Sequence, residues 1–344
     1  MEELVLNNGV DENSVAAMVA GRNAVIIDCG VMDMNGEKLN GLMKAARAAG
    51  VTDFTLNNVC GQTLIGTGVS GPAKISVYGI MGNHSAAFID KIQLNTYPTK
   101  FPNNVWCPGD AQVAIGNTSN PTELNIGGSV DDLFASYCPS GLFRVAGQGG
   151  NRCGLRAGAG IPHVWREIDY SSYEGLSKEE TKETLLLTYQ SRKARIMAHG
   201  WESFQQEYKQ IVENRNPPVI VIGRRVRDYF MEYAQGTIGV ILNVYDIPKP
   251  AGYYICSGMT AGHAYIRGGI EKEQLGARVK FGKPGDPDYE FLTGQINSFF
   301  ETFKDRMSDT YMEKLNGFID RFRKDPSTIL GEFKKIIPET GAGH

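Results

Sequence analysis

The sequence predicts a mainly β fold built as a solenoid, a parallel β-helix, and three observations predict it. Three consecutive nineteen-residue segments, 105–123, 124–142 and 143–161, each open with four strand-like residues and place glycine fifth, at Gly109, Gly128 and Gly147. The same opening returns at 75–79, 219–223 and 264–268, with Gly79, Gly223 and Gly268 in that slot. Glycine supplies 41 of 344 residues, well above the usual ~7%. A short fixed period with a recurrent turn residue marks coils that cannot bury their apolar faces alone and must stack. Glycine suits the corners because it reaches positive φ without a Cβ clash.

Residues 1–51 predict an N-terminal cap. In it, 11–14 lead into a short helix, 24–28 read as a strand, and 36–49 form a helix with Leu39, Leu42, Met43 and Ala46 on one face. Residues 52–275 predict the β-helix, interrupted at about 170–216 by a charged helical hairpin. Ser177 and Glu180 make a capping box there. Trp201, Phe204, Tyr208 and Ile211 share one side of its second helix, and Phe204 and Tyr208 are candidate partner contacts. Residues 276–344 predict a helical tail. Phe291, Ile296, Phe299, Phe300 and Phe303 line one face, and Met312, Leu315, Phe318, Ile319 and Phe322 repeat the pattern. The ends of a solenoid carry unpaired backbone, so these helices are expected as caps, or else as a docking face for another subunit.

Within 64–79, Gly66-x-Gly68-x-x-Gly71 followed by Asp90 spells a dinucleotide fingerprint. That chemistry needs a helix after the last glycine, with its N-terminus facing the pyrophosphate. Here Pro72 and another strand-like run follow, so the glycines predict turns and Asp90 a solvated turn.

A formal charge of −3 offers no basic field for phosphate backbones, so nucleic acid is excluded as a general partner. The start lacks a basic stretch followed by an apolar core, and no apolar run reaches membrane-spanning length; a cytoplasmic chain is expected. Six cysteines, none in a C-x-x-C pair, predict buried thiols rather than disulfides or a metal site.

No nucleophile elbow, zinc-helix motif or phosphate loop is present. Asp131 and Asp132 are adjacent and predict a turn rather than paired catalytic acids. Cys153 lies near Arg152 and Arg156, which lowers a thiol pKa where the sulfur is accessible; a buried coil thiol is the expectation. His84 and His263 read as turn or packing residues. Arg224, Arg225 and Arg227 form the densest basic group. They predict a solvated face paired with Asp228 and Glu232, or else a contact for an anionic partner. The residues thus predict no catalytic, cofactor-binding or metal-binding constellation.

Six ordered stretches carry a family resemblance: LNNVCGQTLIGTG, ISVYGIMGNHSAAFID, GDAQVAIGNT, FRVAGQGGNRCGLR, PVIVIGRRVRDYFMEYAQGTIGVILN and SGMTAGHAYIRGGIE. Together they resemble the C-terminal GXGXG domain of the glutamate synthase large subunit, and more closely its stand-alone archaeal and bacterial subunits. The resemblance spans about residues 52–275 without the insert, and 333–341 resemble the tail of the stand-alone proteins. It implies a right-handed parallel β-helix with no catalytic residue. It also implies a spacer beside a flavin (FMN) and iron–sulfur synthase-like subunit and a glutamine amidotransferase subunit, with the cofactors in those partners. Departures are plain: Met259-Thr-Ala261-Gly262 stands where the family has Met-x-Gly-Gly, Asn243 fills a turn-glycine slot, and the insert is longer. The competing expectations are a self-sufficient nucleotide-binding oxidoreductase and a polysaccharide-binding β-helix.

Overall fold

The computed structural model describes residues 4–31, 33–83, 85–86, 90–100, 106–107, 111, 122–136, 138, 140–158, 217–304 and 307–339. The chain divides into a unit built from 1–159 with 217–344 and a second of 160–216. The second, with the expected hairpin and its Phe204 and Tyr208, lies outside the described residues.

The first unit runs β1 (Val5–Leu6), α1 (Val15–Met18), β2 (Ala24–Val31), α2 (Gly36–Ala48), β3 (Asp53–Cys60), β4 (Ser70–Ile80) and β5 (Asp90–Tyr97). The short β6 (Thr99–Lys100) and β7 (Trp106–Cys107) come next. Then follow β8 (Glu123–Ile126), β9 (Leu142–Val145), β10 (Val219–Ile222), β11 (Gln235–Ile241), β12 (Ala261–Arg267) and β13 (Val279–Gly282). The chain closes with α3 (Asp286–Phe303), α4 (Asp309–Lys324), α5 (Pro326–Gly331) and β14 (Phe333–Pro338). Twelve strands make one sheet in the order β1-β2-β3-β4-β5-β8-β9-β10-β11-β12-β14-β13. Every neighbouring pair from β1 to β12 is parallel. The pairs of β14 with β12 and with β13 are antiparallel. The protein is therefore mainly β, with one large and mostly parallel sheet.

The nineteen-residue period sets the register where it is strongest. Leu124 pairs with Phe143 and Val221 with Val240, each nineteen residues on. Alternation then decides what each strand buries. Leu124, Ile126, Phe143, Val145, Ile220, Ile222 and Ile266 point into the main core. Asn95, Asn125 and Arg144 occupy the opposite row, followed by Val221, Val240 and Tyr265. That outer row is polar over β5–β9 and apolar over β10–β12.

Its apolar part explains the C-terminal helices. Leu292, Ile296, Phe299 and Phe303 of α3 and Leu315, Phe318, Ile319 and Phe322 of α4 cluster with Val221, Val240, Leu242 and Tyr265. Burying each such side chain contributes roughly 1.5–3 kcal/mol. The helices expected as end caps thus lie on the outer face of the sheet. The edge beyond β12 is paired instead by β14, whose buried Phe333 and Ile336 flank exposed Lys334.

Two further expectations are corrected. Within the expected N-terminal cap, β2 pairs with β3, Ile26 opposite Thr55, so the sheet begins before residue 52. Helix α2, capped by Asn35 Oδ1 accepting from Lys38 N at 2.8 Å, is carried between those two strands. Among the described residues, the opening of the 105–123 segment does not lie between β5 and β8 in the large sheet. Trp106 and Cys107 pair antiparallel with Lys100 and Thr99, while β5 pairs directly with β8, Leu94 opposite Leu124. Asp90 is accordingly the first residue of β5, opposite Ser70, and not a turn residue.

Candidate functional site

The corners after the strands have an unusual backbone. Left-handed φ recurs at alternate residues: Leu133 and Ala135; Arg152, Gly154, Arg156 and Gly158; Tyr229, Met231 and Tyr233; Tyr254, Cys256 and Gly258. Successive corners hydrogen-bond in register, Leu133 N to Asn151 O, Arg152 N to Asp228 O and Tyr229 N to Tyr253 O, each at 2.9 Å. Large side chains stand where glycine is the ordinary residue, at a cost of roughly 1–2 kcal/mol each. On the outside they form two columns. The Arg152 guanidinium lies 5.3 Å from the Tyr229 ring, which stacks on Tyr254 at 4.9 Å. Arg156 lies over Tyr233 at 5.9 Å. A Cβ on Gly258 would meet that tyrosine ring at 2.5 Å, so glycine is required beneath it.

The structure divides the basic triplet. Arg224 lies over the Tyr245 ring at 4.9 Å, while Arg225 Nε donates to Gln148 Oε1 at 3.0 Å. Arg227 lines a cavity of about 310 Å³ with Ser129, Asp131, Gln148, Gly149 and Gly150. Among the described residues, the expected pairing of these arginines with Asp228 and Glu232 is not seen. Asp228 accepts from Tyr253 N at 2.8 Å, and Glu232 pairs with Arg152 at 3.2 Å. The two adjacent acids also diverge: Asp132 accepts from Asn151 N at 2.6 Å, whereas Asp131 faces the cavity.

The turn glycines separate by cause. Gly79 and Gly268 have φ of 140° and 107°, as the corner argument requires. Gly147 and Gly223 are not left-handed; crowding requires them instead. A Cβ on Gly223 would meet Ala146 O at 2.4 Å and the Phe299 ring at 2.7 Å, so this glycine admits helix α3 to the sheet. Gly128 follows β8, its carbonyl accepting from Gly147 N at 2.8 Å. Gly109 lies outside the described residues, as do His84, His163, His199 and His344. Gly71 lies within β4, and a strand rather than a helix follows it.

Burial pushes the Cys153 thiol up to about 12, so its neighbouring arginines do not activate it. Burial likewise raises Cys29 to about 12, and raises Cys138 and Cys256 further. Among the described residues no group of three or more His, Cys, Asp and Glu is placed to hold a metal ion. No helix among them is long and apolar enough to cross a membrane.

Two polar clusters escaped the sequence reading. Asp288, in the first turn of α3, accepts from Lys335 Nζ at 2.8 Å and from the Tyr265 hydroxyl. Burial alone would raise this carboxyl, but those donors and Gly285 N hold it below its ordinary range. His263, edge-on to Tyr265, is lowered by burial and then by Lys335, against an opposing pull from Asp288. The second cluster surrounds Arg267, 2% exposed. It donates to Leu242 O at 2.7 Å and to Asn243 O at 2.6 Å, and pairs with Asp246 and Glu332. The signal available for both was register alone: Tyr265 faces Lys335 across two strands.

No protein-family model matches the chain. A 90-residue stretch, 25% of the chain, is 37% identical to an uncharacterised protein of Methanocaldococcus jannaschii. The match spans 34% of that protein's length.

Proposed function

We infer that this chain is a right-handed parallel β-helix acting as a non-catalytic assembly subunit of a glutamate-synthase-type oxidoreductase or amidotransferase complex. In this reading it spaces a flavin and iron–sulfur subunit from a glutamine amidotransferase subunit, and the cofactors reside in those partners. The supporting observation is coil-on-coil pairing at one offset in more than one place along the repeat. Leu124 pairs with Phe143, Ala111 bridges Val130, and Asn151 N donates to Asp132, all nineteen residues apart. Stacked coils about 4.8 Å apart make a stiff body whose length is set by coil number, which suits a spacer. The sequence resemblance supplies the rest of the proposal. Arg224, Arg225 and Arg227, exposed on one coil, are the described residues offered as partner contacts.

The test is anaerobic affinity purification of the tagged chain from its native host, with the isolated chain as control. The expected result is a yellow-brown complex of defined stoichiometry containing an FMN-binding, iron–sulfur subunit, and a colourless chain alone. A chain that purifies alone with its own bound chromophore would overturn the reading.

A further inference from the structure

Two opposite charges face one cavity without touching, and the coil between them carries no side chain. Val130 N donates to Gln148 O at 2.9 Å, and Gly149 bridges Val226. Asp131, Gly150 and Arg227 therefore occupy one column on three successive coils. A Cβ on Gly150 would lie 2.5 Å from the Asp131 backbone, which keeps the middle position empty of side chain. With coils about 4.8 Å apart, Asp131 and Arg227 leave the backbone about 10 Å from each other. Among the described residues neither makes an ion pair, whereas neighbouring Arg152 is held by Glu232 and Arg225 by Gln148. Both unpaired groups line the cavity of about 310 Å³, within the range of small-ligand sites.

Charge selects the occupant. An anion on Arg227 alone is repelled by Asp131, and a cation on Asp131 alone is repelled by Arg227. A molecule carrying both charges, several bonds apart, satisfies both walls with charge-assisted hydrogen bonds. We propose that this cavity binds a short zwitterion, its carboxylate on Arg227 and its ammonium on Asp131. The proposal does not depend on the scaffold reading, because it concerns the isolated chain.

The test is titration of the full-length chain with 6-aminohexanoate, followed by calorimetry and by amide shifts of Gly149 and Gly150. Hexanoate, hexylamine and glycine serve as probes lacking one charge or the separation. The expected result is binding of 6-aminohexanoate at least about tenfold tighter than any of the three. Arg227→Gln is expected to reduce it to the level of hexylamine, and Asp131→Asn to that of hexanoate. Both side chains are exposed, so the thermal midpoint stays unchanged and loss of fold does not confuse the result. Equal affinity for all four probes, or no saturable shift by about 10 mM, overturns the proposal. So does retained 6-aminohexanoate binding in either variant.

Discussion

Replacing Arg267 with methionine tests whether the last parallel strand is anchored by one buried cation. The methionine keeps an apolar stem and removes every donor. Leu242 O then loses its partner at 2.7 Å, whereas Asn243 O loses one at 2.6 Å but keeps Asp246 N at 2.9 Å. An orphaned buried acceptor costs about 1–3 kcal/mol. The side chains of Asp246 and Glu332 are 50% and 40% exposed and rehydrate, so their loss adds little. The guanidinium also lies 4.8 Å from the Phe318 ring of α4, a contact worth about 1 kcal/mol. The sum is about 2–4 kcal/mol. Equilibrium urea unfolding at neutral pH reads it as a lower midpoint. Arg267→Lys restores the charge without the planar fork and is predicted to recover less than half of the loss. An Arg267→Met variant within about 1 kcal/mol of the parent would refute the reasoning, since Leu242 O would then have to be satisfied by another group.

Phe299→Ala empties the site between α3 and Gly223 and is predicted to cost about 3–5 kcal/mol. Hydrogen exchange should show α3 and α4 losing protection before β2–β5; a uniform loss would mean the helices and sheet unfold as one. Gly223→Ala attacks the same junction from the sheet side, with a predicted loss of about 1–3 kcal/mol. Asp288 is held below its ordinary value of 3.8 and His263 below its ordinary 6.5. Both depressed groups contribute stability that is complete above those ordinary values and is lost as pH falls through the folded ones. Acid titration of the melting midpoint should therefore show a decline beginning near pH 6.5 and a second near 3.8. The first step should be absent in His263→Gln and the second reduced in Asp288→Asn, since Asp325 is held low as well. Cys29, Cys138, Cys153 and Cys256, buried with raised pKa, are predicted to resist iodoacetamide at pH 8 until the chain unfolds. Peptide mapping that finds them labelled in the native protein would contradict this.

Much of the sheet was legible because its period is written twice, in apolar strand openings and in glycine. The 124–161 segments gave the register of Leu124 with Phe143. The 105–123 segment misled because Gly109 matched the rhythm while the true strand, β5, did not. Its outward Asn95 bonds Asn125 at 2.9 Å inside a buried polar ladder, and a buried asparagine reads in sequence as surface. Membership of β2 was hidden by α2, which lengthens the connection to β3. The left-handed corners were illegible for a related reason: Tyr229, Met231 and Tyr233 carry none of the glycine signal that normally marks such backbone. The cavity was half legible. Asp131 and Arg227 were each noticed, but their column emerges only when the period is carried across residues 159–216.

The two ends of the sheet have a consequence for how copies of this chain meet. A stack of parallel strands is an open template at each end, and a second molecule arriving head to tail could extend it into a filament. Here β1 offers two residues and β13 four, the latter with exposed Lys280. Because β14 is antiparallel to both β12 and β13, the edge strand β13 runs in the same direction as β12, so it is the shortness and charge of that edge, not its polarity, that discourage a newcomer. Short strands at both edges of the sheet thus leave little backbone for head-to-tail addition.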